Sequence, residues 1–186
     1  GGKVAAELAL KNPDLVDALC IVDISPVPYP NYHSNSETAG VMEAMNALDL
    51  QVVKDRRHAE SIVDIKPLGL KKFALTNLVS APDKKGLVWR CNLDGLYSAL
   101  GDISLHKFDG VFDKPVLLIT GSKSNFVKDE HMRAFQTFFP KFVHTEIKGA
   151  GHWVHGDAPV VFNDVVREFF ANPVAVSQRD NKKLVI

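Results

Sequence analysis

Apolar positions follow two rhythms along this chain, one helical and one suited to buried strands. From Val4 to Leu10, alanines and leucines recur at helical spacing, which predicts a helix closed near Asn12-Pro13. Leu19-Cys20-Ile21-Val22-Asp23-Ile24 is a short apolar run rich in branched residues, and Ser25-Pro26 breaks it. A strand apolar on both faces belongs in a parallel sheet covered on both sides. Pro26 to Ser36, rich in proline, asparagine and serine, reads as a loop. From Glu37 to Leu100 the rhythm is mostly helical. Val41, Met42, Met45 and Leu48 form one expected face, Phe73, Leu75, Leu78 and Val79 another, and Asn92–Leu100 a further helix. Gly86–Arg90 fits neither rhythm, and no parallel strand is evident, so a helical insertion is expected over about 34–112.

Strands and helices then alternate. Val116–Thr120 reads as a second buried strand, followed by a polar loop from Gly121 to Val127 and a helix over Asp129–Phe139. Phe142–Ile147 reads as a third strand, Lys148–Gly156 as a loop, and Pro159–Phe170 as a helix. This order predicts an α/β fold of parallel strands with flanking helices. The domain is expected to end near Ala171, leaving 172–186 as a polar tail.

Composition narrows the classes. A chain of 186 residues with 46% hydrophobic residues is long enough for one domain with its own core, which excludes a disordered protein. Lys+Arg 22 less Asp+Glu 22 gives a net charge of zero, so the chain lacks the basic footprint of a nucleic-acid binder. No apolar stretch approaches the roughly 18 residues of a membrane span. The two cysteines, Cys20 and Cys91, have neither CxxC nor zinc-finger spacing. Cys20, inside an apolar run, reads as a buried and inert thiol.

Candidate chemistry begins at Gly149-Ala150-Gly151-His152-Trp153-Val154-His155, in the loop after the third strand. Glycines on either side of a histidine permit a tight turn from which the imidazole projects. His152 there suits general acid–base work, or else packs the loop and caps the following helix. Asp23, at the carboxyl end of its strand, stands where open α/β sheets place ligand-facing residues. It either orients an imidazole or caps the next loop with Ser25. His152, His155 and Asp157 have a conceivable metal spacing, but no helix carries it and no third histidine lies near, so no metal is assigned. His33, His58, His106, His131 and His144 are scattered and read as surface or structural.

Five stretches resemble the α/β-hydrolase superfamily in order along nearly the whole chain. They are Gly1-Gly2-Lys3-Val4-Ala5, Val22-Asp23-Ile24-Ser25-Pro26, Trp89-Arg90-Cys91-Asn92-Leu93, Gly121-Ser122-Lys123-Ser124-Asn125-Phe126-Val127 and Gly149–His155. Within the superfamily they are most similar to a group of abhydrolase domain-containing proteins and related bacterial esterases. The resemblance implies a serine hydrolase acting on carboxylic esters or related acyl compounds, without a cofactor. Gly1-Gly2 then matches the far side of a nucleophile elbow of pattern Gly-His-Ser-Met-Gly-Gly, and the chain is the C-terminal portion that starts just after the serine. His152 matches the catalytic histidine. Asp23 is the preferred acid, with Asp94 the alternative. Ser124 stands where many relatives carry the acid and cannot supply charge; with Trp89, Arg90 and Asn92 it is assigned to the substrate site. The insertion matches a cap domain. A mitochondrial location is implied by the resemblance alone.

Two expectations follow. Without the serine and its oxyanion hole, these 186 residues are expected to be inactive alone. The strand at Leu19–Ile24 is expected to leave an exposed sheet edge that associates with another chain. The alternative is a non-catalytic interaction protein on a truncated hydrolase scaffold.

Overall fold

A computed structural model describes residues 1–30, 36–66, 68–83, 85–178 and 183–186. His33 lies outside the described residues. The chain forms two compact units, Gly1–Pro28 with His106–Ile186, and Tyr29–Leu105.

The first unit is built on a parallel sheet. Helix α1 (Gly2–Lys11) leads to strand β1 (Leu19–Val22). The second unit follows, with helices α2 (Glu37–Asn46), α3 (Arg56–Ile62) and α4 (Leu68–Ala74), strands β2 (Leu78–Ser80) and β3 (Leu87–Trp89), and helices α5 (Leu93–Ser98) and α6 (Leu100–Leu105). The first unit resumes with β4 (Val116–Gly121), α7 (Met132–Phe138), β5 (Phe142–Ile147), α8 (Val154–Asp157), α9 (Pro159–Ala171), α10 (Pro173–Ser177) and β6 (Lys183–Val185). The strand order is β1-β4-β5-β6, all parallel.

The doubly apolar runs explain this sheet. Every residue of β4 is buried, and its side chains alternate between two cores. Val116 and Leu118 join Leu10, Ile21, Phe112, Phe135 and Phe139 on one face. Leu117 and Ile119 join Val143, Ile147, Val154 and Phe169 on the other. That two-faced burial is the parallel α/β arrangement expected from the pattern. Burial also pushes the Cys20 thiol up to about 12, leaving it almost wholly protonated and unreactive at neutral pH.

The β1 edge is open among the described residues. Leu19 and Asp23 donate their N–H groups to the carbonyls of Pro115 and Ile119. In a parallel ladder the intervening Cys20 and Val22 groups face the opposite side, where no described strand pairs with them.

Three expectations need correcting in detail. Phe73 does not share a helical face with Leu75 and Leu78: α4 ends at Ala74, Leu75 and Leu78 are buried, and Phe73 is 55% exposed. Leu78 and Val79 instead pair with Trp89 and Val88 in an antiparallel hairpin, which takes up the ambiguous Gly86–Arg90 stretch. Gly86, at φ +91, makes the turn that feeds β3. The insertion is also narrower than 34–112 at its far end, since Phe108 and Phe112 are buried in the first unit's core beside Leu10 and Phe139. Finally, 172–186 is not simply a polar tail. Asn172 caps α10 by accepting from the Ala175 N–H, Val176 is buried, and β6 supplies the outer edge of β5 with backbone partners.

Candidate active site

The carboxyl ends of β1 and β4 and the loop after β5 bring four side chains together. Asp23 directly follows β1 and is fully buried. Its backbone has φ +49, a conformation that few residues other than glycine tolerate, asparagine and aspartate best among them. A strained residue at a strand end is a mark of a functional position. The strain turns the carboxylate across the end of β4, where Oδ1 accepts from the Gly121 N–H at 3.4 Å. Oδ2 accepts from the Ser124 hydroxyl and from His152 Nδ1, the latter at 2.7 Å. A buried carboxylate without partners would be costly, and these donors satisfy it.

The loop bearing His152 is set by its backbone. Gly149 adopts φ +83 in the turn after β5. Gly151 donates its N–H to Asp157 Oδ2 at 2.7 Å, and Lys123 donates its N–H to the Ala150 carbonyl at 2.9 Å. Gly121 lets this loop approach. A Cβ there would lie 2.2 Å from the Gly151 carbonyl oxygen and 2.5 Å from that of Ala150. Both are backbone atoms, so the loop itself would have to move. Gly121→Ala is therefore expected to separate His152 from Asp23. Where the dyad serves ester hydrolysis, turnover should fall about a hundredfold, the cost of a displacement near 1 Å, read as kcat against short-chain esters.

With Nδ1–H donated to Asp23, the His152 Nε2 carries the lone pair. The side chain is 38% exposed, and no described residue hydrogen-bonds Nε2. One ring face is covered by Phe126, stacked at 3.8 Å between centroids and 19° between planes. The arrangement can accept a proton at Nε2 while a buried anion steadies the resulting imidazolium.

Other candidates fall elsewhere. The Ser25 hydroxyl, buried, pairs with His131 Nδ1 at 3.0 Å. Burial is the main cause holding the His131 imidazole below its ordinary range. His155 stacks on Trp153, and Asp157 is engaged by the Gly151 N–H. Trp89, Arg90, Asn92 and Asp94 belong to the second unit. Trp89 packs against the core of that unit, Arg90 is exposed and donates its backbone N–H to Asn77, and the Asn92 side chain caps α5 by accepting from Gly95 N–H. Asp94 is exposed in the first turn of α5. Sequence reasoning gave no role to Phe126, Gly121 or Asp157. An aromatic residue in the loop after β4 was the only available hint of Phe126.

The chain superposes on a solved marine microorganism esterase with a TM-score of 0.82, at 27% identity, covering 91% of this chain and 66% of that one. The fold is that of the α/β-hydrolases. The hydrolase resemblance extends to sequence. The chain is 34% identical over 178 residues to the mouse (Mus musculus) sn-1-specific diacylglycerol lipase ABHD11, covering 92% of this chain and 56% of that protein. It is 28% identical to the Escherichia coli esterase YbfF, covering 91% of this chain and 63% of that protein. It thus spans little more than half the length of these relatives. No family model matches. No described helix is long and apolar enough to cross a membrane.

Proposed function

We propose that residues 1–186 supply the general base and its acid to a serine hydrolase of carboxylic esters or related acyl compounds. The observation that carries this reading is the 2.7 Å bond between Nδ1 of the 38%-exposed His152 side chain and the buried Asp23 carboxylate. His152 takes the proton of a serine hydroxyl as the oxygen attacks the acyl carbon, then delivers it to the departing alkoxide. Asp23 keeps the tautomer and steadies the imidazolium. Asp94 is the lesser candidate for the acid, because it sits exposed on a helix. Ser124 supports the acid through its hydroxyl, and Trp89, Arg90 and Asn92 are assigned to the substrate site by the resemblance alone. The named relatives include a diacylglycerol lipase and esterases, which share acyl-ester chemistry. Mitochondrial residence rests on the resemblance alone.

In this reading the serine and the oxyanion donors belong to the part of the relatives that these residues do not match. Purified residues 1–186 are then expected to show near-background hydrolysis of nitrophenyl acetate and butyrate. Substantial hydrolysis sensitive to a serine reagent would overturn that assignment. The second reading, a non-catalytic interaction protein, draws on the β1 edge, where no described strand pairs with Cys20 and Val22. It predicts a partner chain whose binding persists when His152 is replaced.

A further inference from the structure

The loop after β4 carries a contact that the dyad alone does not require. Phe126, half-buried, lies face to face with the His152 imidazole, 3.8 Å between centroids and 19° from parallel. Its place is fixed by its own backbone. The Phe126 N–H donates to Ser124 Oγ at 3.2 Å, while that hydroxyl spends its single hydrogen on Asp23 Oδ2. The same Oδ2 receives Nδ1–H from His152. Four contacts therefore close a circuit, Asp23 to Ser124, Ser124 to Phe126, Phe126 to His152 and His152 back to Asp23. The two-residue step from Ser124 to Phe126 sets the benzene ring above the imidazole.

A single hydrogen bond at Nδ1 anchors one corner of the imidazole but leaves the plane of the ring soft, because the outer torsion of histidine has broad minima. A flat aromatic face removes that freedom. We propose that Phe126 is a positioning residue for His152: stacked on the imidazole, it fixes the ring plane and so the direction in which Nε2 points. The proposal rests on the hydrolytic reading of the dyad and adds a third constraint to it. The stack suits both protonation states, since an imidazolium over the face of a benzene ring is attracted by its quadrupole. The plane set while Nε2 accepts the serine proton is thus retained while it returns that proton to the leaving group. His131 hydrogen-bonds the backbone of Phe126. Asp23 faces Nδ1, Asp157 holds the Gly151 N–H one residue before, and Lys123, which directs its backbone N–H at Ala150, has an exposed side chain. His155, on α8, stacks on Trp153.

The test reads the Nδ1–H proton of His152 by NMR, which needs no catalytic turnover. A proton held by a buried carboxylate resonates far downfield and exchanges slowly with water, and Asp23→Asn should abolish that resonance. Phe126→Leu keeps apolar bulk but removes the flat face. It is expected to speed Nδ1–H exchange roughly two- to tenfold, the worth of one aromatic stack. Phe126→Tyr restores the face and should return the wild-type rate. Unchanged amide dispersion elsewhere separates this effect from unfolding. Equal exchange in the wild type and Phe126→Leu, with the Asp23-dependent resonance present, would overturn the positioning role and leave the dyad standing. Absence of that resonance from the wild type would overturn both.

Discussion

In a protein that joins residues 1–186 to a preceding half ending in Gly-His-Ser-Met, His152→Ala is expected to cut ester turnover by about a millionfold. The reason lies in the protonation chemistry. A serine hydroxyl is a poor nucleophile until a base within hydrogen-bond reach removes its proton, and an alkoxide is a poor leaving group until an acid protonates it. In the proposed function His152 does both through one atom, Nε2, because Nδ1 is committed to Asp23 at 2.7 Å. Removing the imidazole removes both steps together, while the oxyanion hole and substrate contacts remain. Residual turnover should therefore stay above that of water, and KM should change far less than kcat. Steady-state kinetics on a short-chain ester check the expectation.

Asp23→Asn is expected to cost about ten-thousandfold in kcat in the same protein. An asparagine fits the space and tolerates φ +49 nearly as well as aspartate, so the backbone has no reason to change. What disappears is the negative charge facing Nδ1. The amide can also donate to Nδ1, which selects the wrong tautomer and puts a hydrogen on Nε2 where the lone pair is needed. Asp94→Asn provides the contrast. Asp94 is exposed in the first turn of α5, and its replacement should leave kcat within about twofold, the range of an ordinary surface change. A large loss at Asp94 with little at Asp23 would reverse the assignment of the acid.

The parts of the fold legible in the sequence were those with an unmistakable period. Val116–Ile119 and Leu19–Val22 are apolar at every step, the pattern of a strand covered on both sides. Each did prove to divide its side chains between two cores. The hairpin of β2 and β3 was not legible, because three-residue strands are too short to establish alternation, and Leu75, Leu78 and Val79 mimic a helical spacing. Strand β6 was hidden by the polar stretch before it, and its pairing is decided by the open edge of β5 more than by its own residues. At the site, Asp23 and His152 were visible as a strand-end acid and a glycine-flanked imidazole, 129 residues apart. Their mutual contact, the Ser124 hydroxyl on the same carboxylate and the Phe126 stack depend on tertiary closeness that no local pattern encodes. In the sequence Gly121 reads only as the first residue of a polar loop, whereas the structure makes it the last residue of β4. Its significance comes from the carbonyls of Ala150 and Gly151 packed against it.

In the proposed function, His152 anchored on Asp23 activates a serine that lies in the part of the relatives these residues do not match. The most direct measurement is the rate at which an alkyl fluorophosphonate labels that serine in the joined protein, followed by mass spectrometry. Stoichiometric labelling of the serine is expected, slowed by several orders of magnitude in His152→Ala and substantially in Asp23→Asn, with Asp94→Asn unaffected. Labelling at the wild-type rate in His152→Ala would contradict the proposed function.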